Sequence, residues 1–157
     1  MRLALLQPDI PQNAGTMLRL AACLGVAVDI VEPAGFPVSD RAFRRAGLDY
    51  LDHVEIERHV SFATFEAARR AAGRRLALLT TKAEVSYLDA VFRPDDVLMV
   101  GRESSGAPDD VHAAADIRVA IPIRPRLRSL NVAVAAAMVL SEALRQTSGF
   151  PPRAAPA

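Results

Sequence analysis

Apolar residues in this chain come in short runs separated by helix-patterned segments, and that alternation limits the folds open to it. RLALL (Arg2–Leu6) reads as a strand, Asn13–Leu24 as a helix closed by Gly25, and Val26–Val31 as a second strand ended by Glu32-Pro33. An apolar run of four to eight residues is the length of a strand buried on both faces, and glycine suits the left-handed residue that stops a helix. The chain therefore starts as β-α-β. Ser39–Ala46 predicts a short helix and Ser61–Ala72 a longer one, with Ser61 as its N-cap. Three more strands are predicted at Arg75–Leu79, Val97–Val100 and Ile117–Ile121. A last helix is predicted from Ser129 to Gln146, with Leu130, Val134, Ala137, Ser141 and Leu144 on one face. This order predicts an α/β domain over residues 1–147, a mainly parallel sheet flanked by helices on both faces, followed by a flexible tail at 148–157.

At 157 residues and 51% hydrophobic content, such a domain can bury one sizeable core. The longest apolar stretches, such as Leu130–Leu140, fall well short of the ~20 residues of a bilayer span. The N-terminus lacks the layout of a signal peptide, so a soluble, cytoplasmic protein with no membrane partner is expected. The single cysteine, Cys23, cannot form an internal disulfide and is read as a buried apolar residue. His53, His59 and His112 are scattered and form no HExxH, so no metal site is expected. Net charge is only +1, but arginines cluster at Arg41/Arg44/Arg45, at Arg69/Arg70/Arg74/Arg75 and at Arg124/Arg126/Arg128. The second cluster reads as a solvated helix face, and the other two flank motifs and suit phosphates.

In parallel α/β sheets ligands bind beyond the carboxyl ends of the strands. Three predicted strand ends carry unusual residues: LLTTK (Leu78–Lys82), VGRESSG (Val100–Gly106) and IPIRPRLRSLN (Ile121–Asn131). Gly101 and Gly106 let backbone groups approach a ligand closely. Their spacing matches a P-loop, but Ala107-Pro108 stand where Lys and Ser/Thr must be. There is no GxGxxG, and neither Ser104 nor Ser105 has the glycines of a nucleophile elbow. Nucleoside triphosphate binding, dinucleotide binding and serine hydrolysis are disfavoured.

Four stretches in order, IPQNAGTMLRLAACLG, RRAGLDY, VGRESSGAP, and Ile121-Pro122 followed by RSLNVAVAAAMVLSEA, resemble the SPOUT class of RNA methyltransferases. The similarity is closest to the small single-domain group that 2′-O-methylates the tRNA wobble nucleotide, and it runs from Arg2 to about Gln146. It implies an α/β domain whose C-terminal part is threaded as a trefoil knot, a homodimer, S-adenosylmethionine bound in the knot, and the tRNA anticodon stem-loop as partner. It implies that Leu79, Gly101, Ile121, Ser129 and Leu130 contact the cofactor, with Met99 and Pro122 beside them. Arg19, Glu103 and Asn131 match the catalytic motif positions. Asn13, Arg41, Arg45 and Arg128 are the expected substrate contacts, and Asn13 has the alternative role of N-cap to its helix. Arg19 is expected to orient the acceptor and offset developing charge, because arginine keeps its proton at its usual pKa. Departures from the group are Arg102, Ala107 and Ile123, where proline, leucine and methionine are common, and Ser141 where a tyrosine is frequent. A related enzyme acting on another RNA site, and a non-catalytic RNA- or nucleotide-binding protein of the same fold, are the alternative readings.

Overall fold

The computed structural model describes residues 1–37 and 49–152. Its elements run β1 (Arg2–Leu6), α1 (Pro11–Leu24), β2 (Ala27–Val31), a 3-10 turn (Asp49–His53), β3 (Ile56–His59) and α2 (Phe62–Ala71). They continue with β4 (Leu76–Leu79), β5 (Val97–Val100), α3 (Asp109–Ala114), β6 (Ile117–Val119) and α4 (Val132–Gln146). The six strands form one sheet in the order β3-β2-β1-β5-β4-β6, with every pairing parallel. Side chains alternate across it. Leu3, Leu5, Leu98 and Val100 pack with α1 and α4 on one face, and Ala4, Leu6, Val97 and Met99 pack with Phe65 of α2 and Val111 of α3 on the other. Burial on both faces is why the strands read as continuous apolar runs.

The α/β expectation holds, with local corrections. Gly25 closes α1 at φ 65°, and Ser61 caps α2 in a capping box with Thr64, as anticipated. Helix α1 begins at Pro11, after Ile10, so Asn13 lies inside the first turn and is not the N-cap. Proline lacks the N–H that this position leaves unpaired and holds φ at a helical value. Helix α4 begins at Val132, so Ser129 and Leu130 precede it. Asn131 is its cap, its Oδ1 accepting from Ala133 N at 2.9 Å and Val134 N at 3.3 Å. The buried face of α4 is Ala133, Ala136, Val139, Leu140, Ala143 and Leu144, while Val134 and Ser141 are exposed. A helix this rich in small apolar residues has no sharp polar face from which to read its orientation. Besides the 3-10 turn at Asp49–His53, two elements were not expected. β3 is an edge strand of sequence IERH without an apolar run, and α3 is six residues long, too short for a periodicity. The helix expected at Ser39–Ala46, with Arg41, Arg44 and Arg45, lies outside the described residues.

Cys23 is exposed, not buried: it lies on the outer side of α1, whose core face is Ala14, Met17, Leu18 and Ala21. The Arg69–Arg75 cluster is not a uniformly solvated face either. Arg69 is buried and pairs with Glu66 at 2.7 Å and Asp116 at 2.8 Å, and Arg75 pairs with Asp96 at 2.7 Å. These pairs tie α2 and the start of β4 to the loops beside them. A second buried network crosses β1, β2 and β3. Arg2 binds Asp29 through Nε at 2.7 Å and Nη2 at 3.0 Å, and His59 Nε2 lies 2.9 Å from Asp29 Oδ1. Asp29, Glu57 and His59 bring potential ligand atoms within 4.8 Å of one another, but the Arg2 guanidinium already sits on Asp29 and reaches Glu57 at 3.4 Å. The cation of this cluster is an arginine.

Candidate active site

The strand order reverses at β1 and β5: β2 and β3 lie to one side, β4 and β6 to the other. At such a switch point the loops leaving neighbouring strands diverge and open a crevice. The residues after β1 (Gln7–Ile10) and after β5 (Gly101–Pro108) leave the sheet side by side there. A cavity of about 540 Å³ lies at this end, within the usual range for a small-molecule site. The expected cofactor residues Leu79, Gly101, Ile121, Ser129 and Leu130 all line it. So do Asn13, Glu103, Arg128 and Asn131, and the three unusual strand ends of the sequence thereby meet at one place.

Two expected lining residues do not belong to it. Met99 is fully buried in the core on the opposite face of the sheet from Val100, which does line the cavity. Pro122 is exposed and outside the lining, whereas its neighbours Ile121 and Ile123 form part of the wall. In both cases alternation along an extended chain turns neighbouring residues to opposite sides.

The loop after β5 is closed on itself by two backbone hydrogen bonds, Arg102 N–H to Gly106 O at 3.1 Å and Gly106 N–H to Arg102 O at 2.9 Å. Gly106 sits at φ 71°, where a side chain is disfavoured. Gly101 is required for space rather than for its dihedrals. A Cβ there would lie 2.6 Å from the Gly106 carbonyl carbon and 2.7 Å from Ala107 N.

A chain of polar contacts joins this loop to both helix starts. Asn131 Nδ2 donates to Asn13 Oδ1 at 2.9 Å, and Asn13 Nδ2 donates to Glu103 Oε1 at 3.2 Å. The other Glu103 oxygen accepts from Asp9 N–H at 3.0 Å, and Glu103 N–H returns a bond to Asp9 Oδ1 at 3.2 Å. The Ser104 hydroxyl also donates to Asp9. Asp9 was not singled out from the sequence; an acid just ahead of a proline-started helix was the available signal. Contacts with Glu103, then the Ser104 hydroxyl, the Glu103 backbone N–H and the nearby Arg102 charge hold its carboxyl down at about 2. Glu103 and Asn131 thus fix the relative placement of the loop after β5, the first turn of α1 and the first turn of α4.

Arg19 stands apart from the cavity. It is exposed, its guanidinium lies 4.7 Å from the centre of the Tyr50 ring, and its Nη2 is 3.4 Å from the Tyr50 hydroxyl. Tyr50 ends the RRAGLDY stretch. Six residues separate Arg19 from Asn13, roughly 9 Å along a helix axis. One chain does not bring Arg19 into its own cavity. Arg128 is at the cavity but exposed, and Lys82, Arg102 and His112 are further cationic or titratable lining residues that the sequence did not mark as such.

Residues 1–141 match the model of the SpoU rRNA Methylase family. The chain belongs to that family. A relative from Beijerinckia indica subsp. indica, a tRNA (cytidine(34)-2′-O)-methyltransferase, is 70% identical over 148 residues, covering 94% of this chain and 92% of its own. A solved structure described as giving insight into the 2-OH methylation of C/U34 on tRNA is 42% identical and superposes with a TM-score of 0.87, covering 94% of this chain and 96% of that one. The SpoU methyltransferase AviRb from Streptomyces viridochromogenes, solved in complex with AdoMet, is 28% identical with a TM-score of 0.82 and covers 93% of this chain and 60% of its own. The family resemblance carried by the four sequence motifs is thereby established.

Proposed function

We infer that this chain transfers the methyl group of S-adenosylmethionine to the ribose 2′-hydroxyl of the wobble nucleotide, a cytidine, of tRNA. The observation that carries this reading is the 70% identity, over nearly the whole chain, to a tRNA (cytidine(34)-2′-O)-methyltransferase. The residues of the cavity suit the cofactor. Aliphatic walls at Leu79, Ile121 and Leu130 and the exposed backbone of a glycine loop suit a flat, neutral adenine better than a cradle of charges does. When bound, S-adenosylmethionine supplies a methyl group already activated by its sulfonium. Leu79, Gly101, Ile121, Ser129 and Leu130 would hold it, and Glu103 with Asn131 and Asn13 keeps those loops in register. The trefoil threading of the C-terminal part belongs to the same family reading.

The acceptor hydroxyl must be oriented and its developing charge offset, and Arg19 is assigned that role. Its distance from the cavity of its own chain supports a site completed by a second copy, with Arg19 of one subunit facing the cavity of the other. Ile10, Leu130, Val134 and Met138 support the same homodimer. They are 42%, 40%, 52% and 37% exposed, gathered at the joined starts of α1 and α4 and along α4, and an exposed apolar patch of this kind suits a protein interface. Doubling the chain also doubles its basic groups, including Arg41, Arg45 and Arg128, for an anticodon stem-loop whose many phosphates meet only one net positive charge per domain. No described helix is long and apolar enough to cross a membrane, and a tRNA substrate supports a cytoplasmic location.

The test is transfer of labelled methyl from S-adenosylmethionine to total tRNA in the presence of a chelator, followed by mapping of the modified nucleotide. Label at the 2′-O position of nucleotide 34 is the expected result. Label at another RNA position would replace the wobble assignment, and cofactor binding without transfer would remove the enzymatic one. For the shared site, Arg19→Ala subunits mixed with Ser129→Trp subunits, each inactive alone, are expected to regain part of the activity. No recovery in demonstrated mixed dimers would refute sharing.

A further inference from the structure

Arg102 is anchored at its base and unpartnered at its end. Its backbone N–H and C=O are both bonded to Gly106, so the start of the side chain is fixed on the wall of the cavity. Its Nε is enclosed by the protein, yet has no hydrogen-bond partner among the described residues. A buried N–H without an acceptor is costly, so its occurrence calls for a reason. The nearest carboxylate oxygen, Asp9 Oδ2, is 3.7 Å away, beyond hydrogen-bond length. Asp9 is meanwhile engaged by Glu103 N–H and the Ser104 hydroxyl, which hold it behind the arginine. The Arg102 side chain as a whole is 35% exposed although its Nε is enclosed, so the exposure lies at its outer atoms, which make no hydrogen bond with a described residue. Lys82 and Arg128 are further cations of the cavity wall. Arg102 differs from them in having an enclosed Nε with a carboxylate poised behind it.

An arginine in this state has the layout of an oxyanion receptor. A carboxylate behind Nε can orient the guanidinium, and the outer Nη edge is left to pair with two oxygens of a ligand, the geometry in which arginine binds carboxylates and phosphates. We propose that Arg102, backed by Asp9, receives an oxyanion of the reaction's own ligands in the cavity, with Nε closing onto Asp9 as the outer edge is occupied. The inference rests on the function proposed above, whose two ligands each carry such a group: the α-carboxylate of the cofactor and a phosphate of the RNA backbone.

The two sources are separable with three probes. These are S-adenosylhomocysteine, 5′-methylthioadenosine, which has the nucleoside but no carboxylate, and tRNA, each titrated against the unmodified protein and against Arg102→Gln, Arg102→Lys and Asp9→Asn. Loss of a charge-assisted pair is expected to weaken one ligand by about tenfold or more in Arg102→Gln. If the cofactor carboxylate is the partner, S-adenosylhomocysteine binding falls and 5′-methylthioadenosine binding does not. If a phosphate is the partner, tRNA binding falls with the two nucleosides unchanged, and the slope of log affinity against log salt drops by about one. Arg102→Lys keeps the charge without the fork and is expected to restore little of the loss, and Asp9→Asn to weaken the same ligand by a smaller factor. Unchanged binding of all three probes by both Arg102 variants would overturn the proposal, as would an equal fall for both nucleosides, which marks a distorted pocket. An unmodified protein that binds neither S-adenosylhomocysteine nor tRNA would instead overturn the function reading, and this inference with it.

Discussion

Substituting alanine for Gly101 tests how the cofactor loop is held. The added Cβ would lie 2.6 Å from the Gly106 carbonyl carbon and 2.7 Å from Ala107 N, both backbone atoms that cannot rotate away. Contact between such atoms is comfortable only near 3.5–4.0 Å, so the loop must open by about 1 Å. Opening stretches the paired Arg102–Gly106 hydrogen bonds, each worth about 1 kcal/mol, and the strain of an inserted methyl adds roughly 1–3 kcal/mol. The expected loss is about 3 kcal/mol, or roughly 6–12 °C in Tm for a domain of this size. Gly106→Ala is the control. It has open space around a Cβ but a φ of 71°, so it costs only the left-handed backbone term, about 1–2 kcal/mol. Thermal unfolding followed by calorimetry against the ligand measures the difference. Besides the larger fall in Tm, Gly101→Ala is expected to bind S-adenosylhomocysteine at least ~10-fold more weakly, the equivalent of one lost charge-free contact set in a displaced wall. A Gly101→Ala protein as stable as Gly106→Ala, with unaltered affinity, would refute the steric argument.

Arg19→Ala is expected to leave S-adenosylhomocysteine affinity intact while lowering turnover about 100-fold, with Arg19→Lys a poor substitute; unchanged turnover in single-turnover kinetics removes Arg19 from the site. Asp29→Ala leaves buried Arg2 without its bidentate partner and is expected to cost about 3–5 kcal/mol in urea unfolding, against less than 1 kcal/mol if the network is dispensable. Asp9 has its carboxyl at about 2 rather than the usual 3.8, so its contribution to stability is complete above about pH 4 and is lost as pH falls through about 2. Carboxyl carbon chemical shifts titrating near 3.8 would contradict the Asp9–Glu103–Ser104 arrangement.

What the sequence determined by itself is local. Runs such as LALL and VLMV specify doubly buried strands, Gly25 the end of α1 and Ser61 the start of α2, because each depends on periodicity or capping within a few residues. The motif stretches, read through their family likeness, also named many of the residues that line the cavity, among them Leu79, Gly101, Ile121, Ser129 and Leu130. Elements without a clear local signal were not legible: the polar edge strand β3, the single-turn-and-a-half α3, and the buried face of the alanine-rich α4. The tertiary structure alone decided which distant residues meet. Asp9 and Glu103 are 94 residues apart and Asn13 and Asn131 are 118 apart, and they touch because the sheet sets β1 beside β5 and brings the starts of α1 and α4 together. It also turned Met99 into the core, carried Arg19 away from the cavity of its own chain, and left Arg102 Nε facing Asp9 across 3.7 Å. These outcomes depend on strand order and on which side of a strand or helix each residue occupies, and both are set by how the whole chain buries its two apolar faces rather than by any segment alone.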